Sequence, residues 1–440
     1  MAIEITRSAA WRPQEVEPEL YRRWEEAGLF RADPHDPRPK FSVVMPPPNI
    51  TGELHLGHAT NGTLQDLYCR YKRMRGFEVL WLPGTDHAAI ATQNVIEKQL
   101  AAEGSSKERI GRQAFEHRVE EWYLEYGARI VGQLKRLGTT CDWSRQRFTM
   151  DPPYVHAVRE AFVRLYQRGY IYRGPRIVNW CPRCMSSISD LEVDWREHED
   201  VLYHIRYDMA DGDGALVVAT VRPETMLADT GVAVNPGDPR YTAFVGRTAI
   251  LPLVGRELPV VADDYAKIDF GSGALKVTPG HDPNDYEIGR RHGLAILSTI
   301  DKDGSISQHD WVPEELRSLG ALDARRRVVE LLRQTDHLVS TEPYVHEVGH
   351  CDRCGEVIEP LIDEQWWCAM AELAKPAIQV VEDQRVRFVP ERWNRVYLEW
   401  MRNLRDWSIS RQLWLGHRLP VYYCDAGHPT DTGEELPTPV

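Results

Sequence analysis

The stretch PPPNITGELHLGH, residues 46–58, sets His55 and His58 three apart around Gly57, directly after the apolar run KFSVVM. If a helix begins there, the two imidazoles share one face. Pro46, Pro47 and Pro48 enforce an extended approach, and Gly57 leaves room for a ligand against the backbone. A helix N-terminus that follows a strand presents free N–H donors and a positive dipole end to an anion. Imidazoles added to it can donate to phosphate oxygens as charge builds in a transition state. The plainer reading is that the two histidines only cap a helix.

Thiols form a second set. WCPRCM (Cys181, Cys184) and HCDRCG (Cys351, Cys354) are near copies of one another. Each C-x-x-C turn can aim two thiolates at one ion, and two such turns complete a tetrahedral Cys₄ zinc site. The 166 residues between Cys184 and Cys351 exceed the span of one zinc finger, but they fit an insertion whose two stalks the metal ties together. Buried or redox-active thiols are the alternative. Cys69, Cys141 and Cys368 read as core residues, and Cys424 with His428 has the spacing of half a second metal site.

Both sets need elements to position them. KFSVVM and FEVLWLPGTD read as short buried strands, and LQDLYCRYKRMRG between them as a helix ending at Gly76. Strand, helix, strand implies a βαβ unit and a parallel sheet, whose ligands sit beyond the carboxyl ends of the strands. The histidine motif and GTDHA, residues 84–88, both fall there. From about 105 to 175 the pattern is helical and amphipathic. After 200 short alternating strands crowd together (VLYHIRYDM, ALVVATV, LPVVAD, GALKVT), a β-rich domain set inside a helical one. Helical pattern returns at DARRRVVELLRQTDH.

A length of 440 residues sets a prior of about three domains. The first twenty residues lack a basic stretch followed by an apolar core, so no signal peptide is expected. No run approaches the length of a membrane span. Eight cysteines without a secretory signal point to the cytoplasm. The net charge of −13 excludes a uniformly basic surface but not a nucleic-acid partner, which local patches can serve. Arg325, Arg326 and Arg327 could touch phosphate, though a solvated helix face explains them as well.

On these residues the chain resembles the class I aminoacyl-tRNA synthetases. PPPNITGELHLGH is similar to their first signature, and GTDHAAIATQ to its form in the valine-specific members, where isoleucine and leucine enzymes have Gly-Trp-Asp. The likeness continues through DWSRQRFTMD, VNWCPRC, SDLEV, ATVRPETMLADT, GALKVTPGHDPNDYEIG, FVPERW and DWSISRQLWLGH, nearly the whole chain in family order. It implies an α/β architecture: a Rossmann-like nucleotide-binding fold with an incomplete second half, carrying a β-rich editing domain on a zinc-knuckle base. The implied division is 1–175 for the first catalytic half and 201–343 for the editing domain. Residues 176–200 and 344–368 form the zinc-knuckle connection, and 369–440 the start of the second catalytic half.

The resemblance also implies a chemistry: ATP-dependent activation of valine and its transfer to tRNA(Val), with hydrolysis of threonyl-tRNA(Val). His55, Gly57 and His58 then bind ATP, the two histidines stabilising it while valine's carboxylate attacks the α-phosphate. Pro47, Asn49 and Asp86 form the valine pocket, Asp86 pairing with the ammonium. Mg²⁺ accompanies ATP, and Cys181, Cys184, Cys351 and Cys354 hold Zn²⁺. Threonine is nearly isosteric with valine, and an apolar pocket rejects a hydroxyl poorly, as is established for the valine-specific enzymes themselves. Thr220, Arg222, Thr225, Lys276, Thr278, Asp282 and Asp285 match the family's editing positions. Lys276 and Thr278 are expected to bind the threonine hydroxyl, and Asp285 the ammonium.

The sequence departs from the pattern in places. Ala89 stands where the family has glycine, and no Lys-Met-Ser-Lys-Ser loop, Asp-Thr-Trp-Phe segment, anticodon-binding domain or C-terminal arm occurs in the 440 residues. The chain is therefore expected to be an N-terminal portion, monomeric, weak in synthesis alone, and dependent on a missing half. An unfinished parallel sheet is also expected to leave an edge and apolar surface exposed. The competing readings are an editing hydrolase without synthesis, a zinc-stabilised tRNA-binding scaffold, and a simple nucleotidyltransferase, which has no use for the editing segment.

Overall fold

The computed structural model describes residues 12–423. These fall into two compact units, residues up to 164 together with 413 onward, and residues 165–412. Cys424 and His428 lie outside the described residues.

The first unit opens with α1 (Pro13–Glu26), β1 (Lys40–Val44), α2 (Leu56–Met74) and β2 (Glu78–Leu82). The two strands pair in parallel from Lys40↔Glu78 to Val44↔Leu82, with α2 as the crossover. This is the βαβ unit that the alternation of strand and helix patterns demanded. Trp81 is fully buried on β2, its indole donating to Gln65 of α2 at 3.1 Å. Together with Met45, Ile50, Val79, Ile130 and Leu134 it makes the core behind the site. β1 is only half covered: Val44 is 75% exposed, and Leu64, Leu67, Tyr68 and Met74 on α2 are exposed as well.

Past β2 come β3 (Gly84–Thr85), α3 (Ala89–Ala102), α4 (Lys107–Ile110), α5 (Arg112–Arg136), β4 (Arg147–Phe148) and α6 (Pro152–Gln167). β3 and β4 are parallel, which brings Thr149 beside Asp86. A smaller core of Ile96, Leu100, Phe115 and Val119 receives Trp414 and Leu415.

The second unit holds two sheets. The first, in order β15-β14-β5-β6, is built from β5 (Ile171–Cys181), β6 (Ser186–Ile188), β14 (Glu359–Cys368) and β15 (Trp407–Ser408). Between β6 and β14 the chain makes β7 (Val193–Asp208), β8 (Ala215–Thr220), β9 (Gly231–Val234), β10 (Thr248–Ile250), β11 (Glu257–Ala262), β12 (Ala274–Val277) and β13 (Leu338–Cys351). These form a seven-stranded mixed sheet, β10-β11-β9-β12-β8-β7-β13, with α7 (Pro283–His292) and α8 (Ala321–Gln334) in the connections. β7 and β13 pair from Ile205↔Leu338 to Val193↔Cys351, with a register shift near Ser340. Their inner ends join the sheet, whereas Asp194–Glu199 are exposed residue after residue, so this part is a free-standing two-stranded ribbon. It delivers both chain directions to the four thiols. α9 (Met370–Glu382) and α10 (Trp393–Arg402) pack on each other before β15.

This grouping is coarser than the four-part division drawn from the sequence. β5 pairs with β14 along its whole length, from Ile171↔Cys368 to Trp180↔Glu359, which ties the zinc-knuckle segments and residues 369–412 into one unit with the inserted sheet. No helix among the described residues is long and apolar enough to cross a membrane.

Candidate functional site

In the first unit His55 is the N-cap of α2. Its Nδ1 accepts the Gly57 amide at 3.1 Å, and His58 Nδ1 accepts the His55 amide at 3.3 Å. The capping reading therefore holds, and it has a chemical consequence. A neutral imidazole that accepts through Nδ1 carries its proton on Nε2. Both rings, with centroids 4.0 Å apart, thus present Nε2–H donors beside the open amides of the helix. Burial, aided by the neighbouring His55, holds His58 below the usual histidine range, which favours its neutral ring with a donor on Nε2. Gly57 is required: a Cβ there would lie 2.8 Å from His55 Cε1.

Asn49 and Asp86 are partners in a parallel bridge, sealed by Asp86 N–H to Pro48 O and Ile50 N–H to Asp86 O, both 2.9 Å. The three residues expected in one pocket are thus adjacent, Pro47 lying against Gly84. Asp86 Oδ1 accepts the Ala88 amide at 3.0 Å and the Thr149 hydroxyl at 3.1 Å, with His87 Nδ1 at 3.2 Å. Burial works to raise this carboxyl, but His87, the Ala88 amide and Thr149 outweigh it and hold it below the usual range. It is an ionised group suited to a cation. Ala88 reaches this bond through a left-handed backbone (φ 45°).

Three residues here escaped the sequence reading. Thr149 and His87 brace Asp86, and His417 bonds Thr149 O through Nε2 at 2.6 Å while its ring lies 5.1 Å from that of His87. DWSRQRFTMD, GTDHAAIATQ and LWLGH carry them, yet nothing in one sequence says that these segments meet.

In the second unit the seven expected residues divide into a cavity rim and a buried network. A cavity of about 340 Å³ is lined by Tyr265, Lys267, Phe270, Asp282, Asp285 and Tyr344, among others. Asp282 caps α7, accepting the Asn284 amide at 2.7 Å. Asp285 accepts the Thr278 amide at 2.9 Å. Burial, reinforced by the charge of Asp282, pushes its carboxyl up to about 7. Behind it Lys276, Thr278 and Thr225 are buried together with Asp229 and Tyr207. The Lys276 ammonium donates to Thr225 Oγ1 and Asp229 Oδ1, each 3.3 Å, and to Thr278 Oγ1. All three of its protons are thereby used inside the protein.

Thr220 Oγ1 accepts the Arg222 amide at 3.0 Å. The Arg222 guanidinium is ion-paired with Glu359 of β14 and with Glu224. Arg325 pairs with the same Glu224 at 2.9 Å and with Asp200 at 3.0 Å, while Arg326 and Arg327 face Asp323, Glu315 and Glu330. The arginine run is therefore internally neutralised, one member inside a buried ion-pair chain. His281 is buried and held down at about 3, by burial first and then by the charge of Arg222. Its Nε2 accepts the Thr299 amide at 2.8 Å, leaving Nδ1–H for Pro360 O. Gly280 makes this close packing possible, since a Cβ would fall 1.9 Å from Leu297 O.

The four thiols of Cys181, Cys184, Cys351 and Cys354 lie within 4.8 Å of one another, Cys181 Sγ and Cys354 Sγ being 3.4 Å apart. β5 and β13 each end on the first cysteine of a pair, so the strands set the spacing. So compact a set of sulfurs cannot ionise together without a cation, and a tetrathiolate suits Zn²⁺. Cys69, Cys141 and Cys368 are buried core residues.

A family model described as tRNA synthetases class I (I, L, M and V) matches residues 19–436. Proteins named valine–tRNA ligase are similar over almost the full chain: that of Thermotoga maritima at 52% identity, covering 98% of this chain and 49% of its own length. That of Carboxydothermus hydrogenoformans is 50% identical, covering 99% and 48%, and that of Geobacter sulfurreducens 50%, covering 97% and 48%. The chain spans about half the length of these curated relatives.

Proposed function

Because the chain belongs to the class I tRNA synthetases of the isoleucine, leucine, methionine and valine group, we propose that it serves valine: activation with ATP, transfer to tRNA(Val) in the cytoplasm, and hydrolysis of threonyl-tRNA(Val). What supports this reading is that two sets of residues follow the ends of β1 and β3 within the first unit. The outward Nε2–H donors of His55 and His58 crown α2, and the Asn49–Asp86 bridge fixes an ionised carboxylate. Asp86 holds the ammonium of valine, leaving its carboxylate to attack the α-phosphate. His55 and His58 donate to phosphate oxygens as pyrophosphate departs. No covalent enzyme intermediate is required, since positioning and charge stabilisation carry such a step.

Mg²⁺ would accompany ATP. The four cysteines would hold Zn²⁺ as a structural ion closing the base of the ribbon. In the second unit Asp285 pairs with the ammonium of a threonyl group, and Asp282 tunes it. A second reading, editing hydrolysis without synthesis, is favoured by one observation: the seven residues expected for editing all belong to the second compact unit, and the two histidines do not.

Valine-dependent exchange of pyrophosphate into ATP tests the first reading, with His55→Ala and His58→Ala as controls. The isolated chain is expected to exchange weakly, roughly 100-fold or more below a full-length relative, and not at all without the histidines. Full-rate exchange would overturn the need for the lysine loop. Exchange indifferent to both histidines would overturn their assignment.

A further inference from the structure

The Asp86 carboxylate is held on one side only. The Ala88 amide at 3.0 Å, the Thr149 hydroxyl at 3.1 Å and His87 Nδ1 at 3.2 Å all meet Oδ1. Among the described residues no donor reaches Oδ2, and the side chain is 34% exposed, so this second oxygen keeps its lone pairs for a ligand.

The Thr149 hydroxyl decides this arrangement. A hydroxyl has one proton and two lone pairs. One lone pair takes the His87 amide at 2.9 Å and the other takes His87 Nδ1–H at 2.5 Å, which directs the proton to Asp86. Without that hydroxyl the His87 ring, 3.2 Å away, is the nearest side-chain donor. A carboxylate turned toward it is used up inside the protein.

Thr149 is itself held, by a segment 268 residues further on. His417 Nε2 lies 2.6 Å from Thr149 O, and because a carbonyl only accepts, Nε2 carries the proton. The His417 ring packs against those of His87 and Tyr154, with centroids 5.1 and 6.2 Å away. Trp414 and Leu415 anchor the segment in the small core around Phe115, and the Trp414 amide donates to Gln93 Oε1 at 3.2 Å. Gly416, between this anchor and His417, takes φ 134°, a backbone that residues with a Cβ rarely adopt.

We propose, resting on the valine reading above, that Thr149, clamped by His417, is the positioning residue that confines Asp86 to one free oxygen and so makes the site selective for an α-ammonium. The ligand it favours is an amino acid with a free, charged amino group. A carboxylic acid of the same branched shape without that group gains nothing from the arrangement. The segment LWLGH thereby becomes a working part of the pocket although it supplies no ligand contact of its own.

Binding of L-valine and of isovalerate, the same skeleton without the amino group, to the full 440-residue chain tests this by ligand-observed NMR titration. Thr149→Val is expected to lower the valine-to-isovalerate affinity ratio roughly 10-fold, within the range for a hydrogen bond to a charged group. Thr149→Ser, which keeps the hydroxyl, is expected to stay within about twofold of the unaltered chain. His417→Ala, which spares every direct contact of Asp86, is expected to lower the ratio about two- to fivefold and serves if Thr149→Val does not fold. A merely structural role weakens both ligands together, and an unchanged ratio in these variants overturns the proposal. Asp86→Asn separates the two readings. Preference for valine lost in Asp86→Asn but kept in Thr149→Val and His417→Ala overturns this inference alone. An unaltered chain that binds no valine, or whose preference survives Asp86→Asn, overturns the valine reading and this inference with it.

Discussion

At the scale of residues the proposed editing role makes the charge state of Asp285 a test of pH behaviour. Its carboxyl is raised to about 7, chiefly by burial and next by Asp282. A group that pairs with an ammonium must be ionised, so threonyl-tRNA hydrolysis is expected to climb with pH through about 7. In an Asp282→Asn variant the midpoint is expected to fall. A pH profile flat between 5.5 and 8.5 (roughly 1.5 units either side of the midpoint) would show that Asp285 does not titrate in the reaction. The sign for stability is opposite: a carboxyl raised from about 3.9 binds more protons folded than unfolded, so its contribution weakens as pH rises through this window. Gly57 offers a second case. Alanine favours a helix by about 1 kcal/mol over glycine, while losing the His55 cap costs about the same. Gly57→Ala is thus expected to leave the melting temperature within about 2 °C, yet weaken ATP binding about tenfold, measured calorimetrically, because the His55 ring must move away from the added Cβ.

Residues also mark the limit of what could be read beforehand. His55, His58 and the cysteine pairs were legible because their partners lie within a few positions. Thr149 and Asp86 are 63 residues apart, His417 and Thr149 268, and Lys276 and Asp229 47. Threonine in RFTMD or aspartate in MLADT carries no local sign of such a partner, and only the paired strands bring them together.

At the scale of elements the ribbon of β7 and β13 is the part that depends on the thiols. Residues Asp194–Glu199 are exposed along it, so little apolar burial holds it, and a two-stranded hairpin is marginal alone. Removing metal with a chelator, or Cys351→Ser, is expected to cost the second unit several degrees in melting temperature, with loss of about one Zn²⁺ per chain by elemental analysis. Its absence from a fully folded sample would refute the zinc assignment. The alternation of β7 and β8 foretold their sheet, since side chains of period two face one core. The order of the seven strands was not foretold, because β9, β11 and β12 are short buried runs whose sequence fits several neighbours.

At the scale of the whole molecule the residues expected for synthesis and those expected for editing fall in separate compact units. His55→Ala with His58→Ala is accordingly expected to leave threonyl-tRNA hydrolysis within about twofold, the additivity expected of independent sites. A parallel loss of both activities would refute that separation. The ribbon also has a meaning for folding. β5 and β14 pair residues as distant as Ile171 and Cys368, contacts of very high order that fold slowly. Closing a loop costs only about 0.6 kcal/mol for each doubling of its length, and β7 and β13 leave the base side by side. Once that ribbon zips, β5 and β14 meet the long insertion as if it were a short hairpin. Its size then scarcely matters to them, and the base is expected to close after the inserted sheet has formed, never before it.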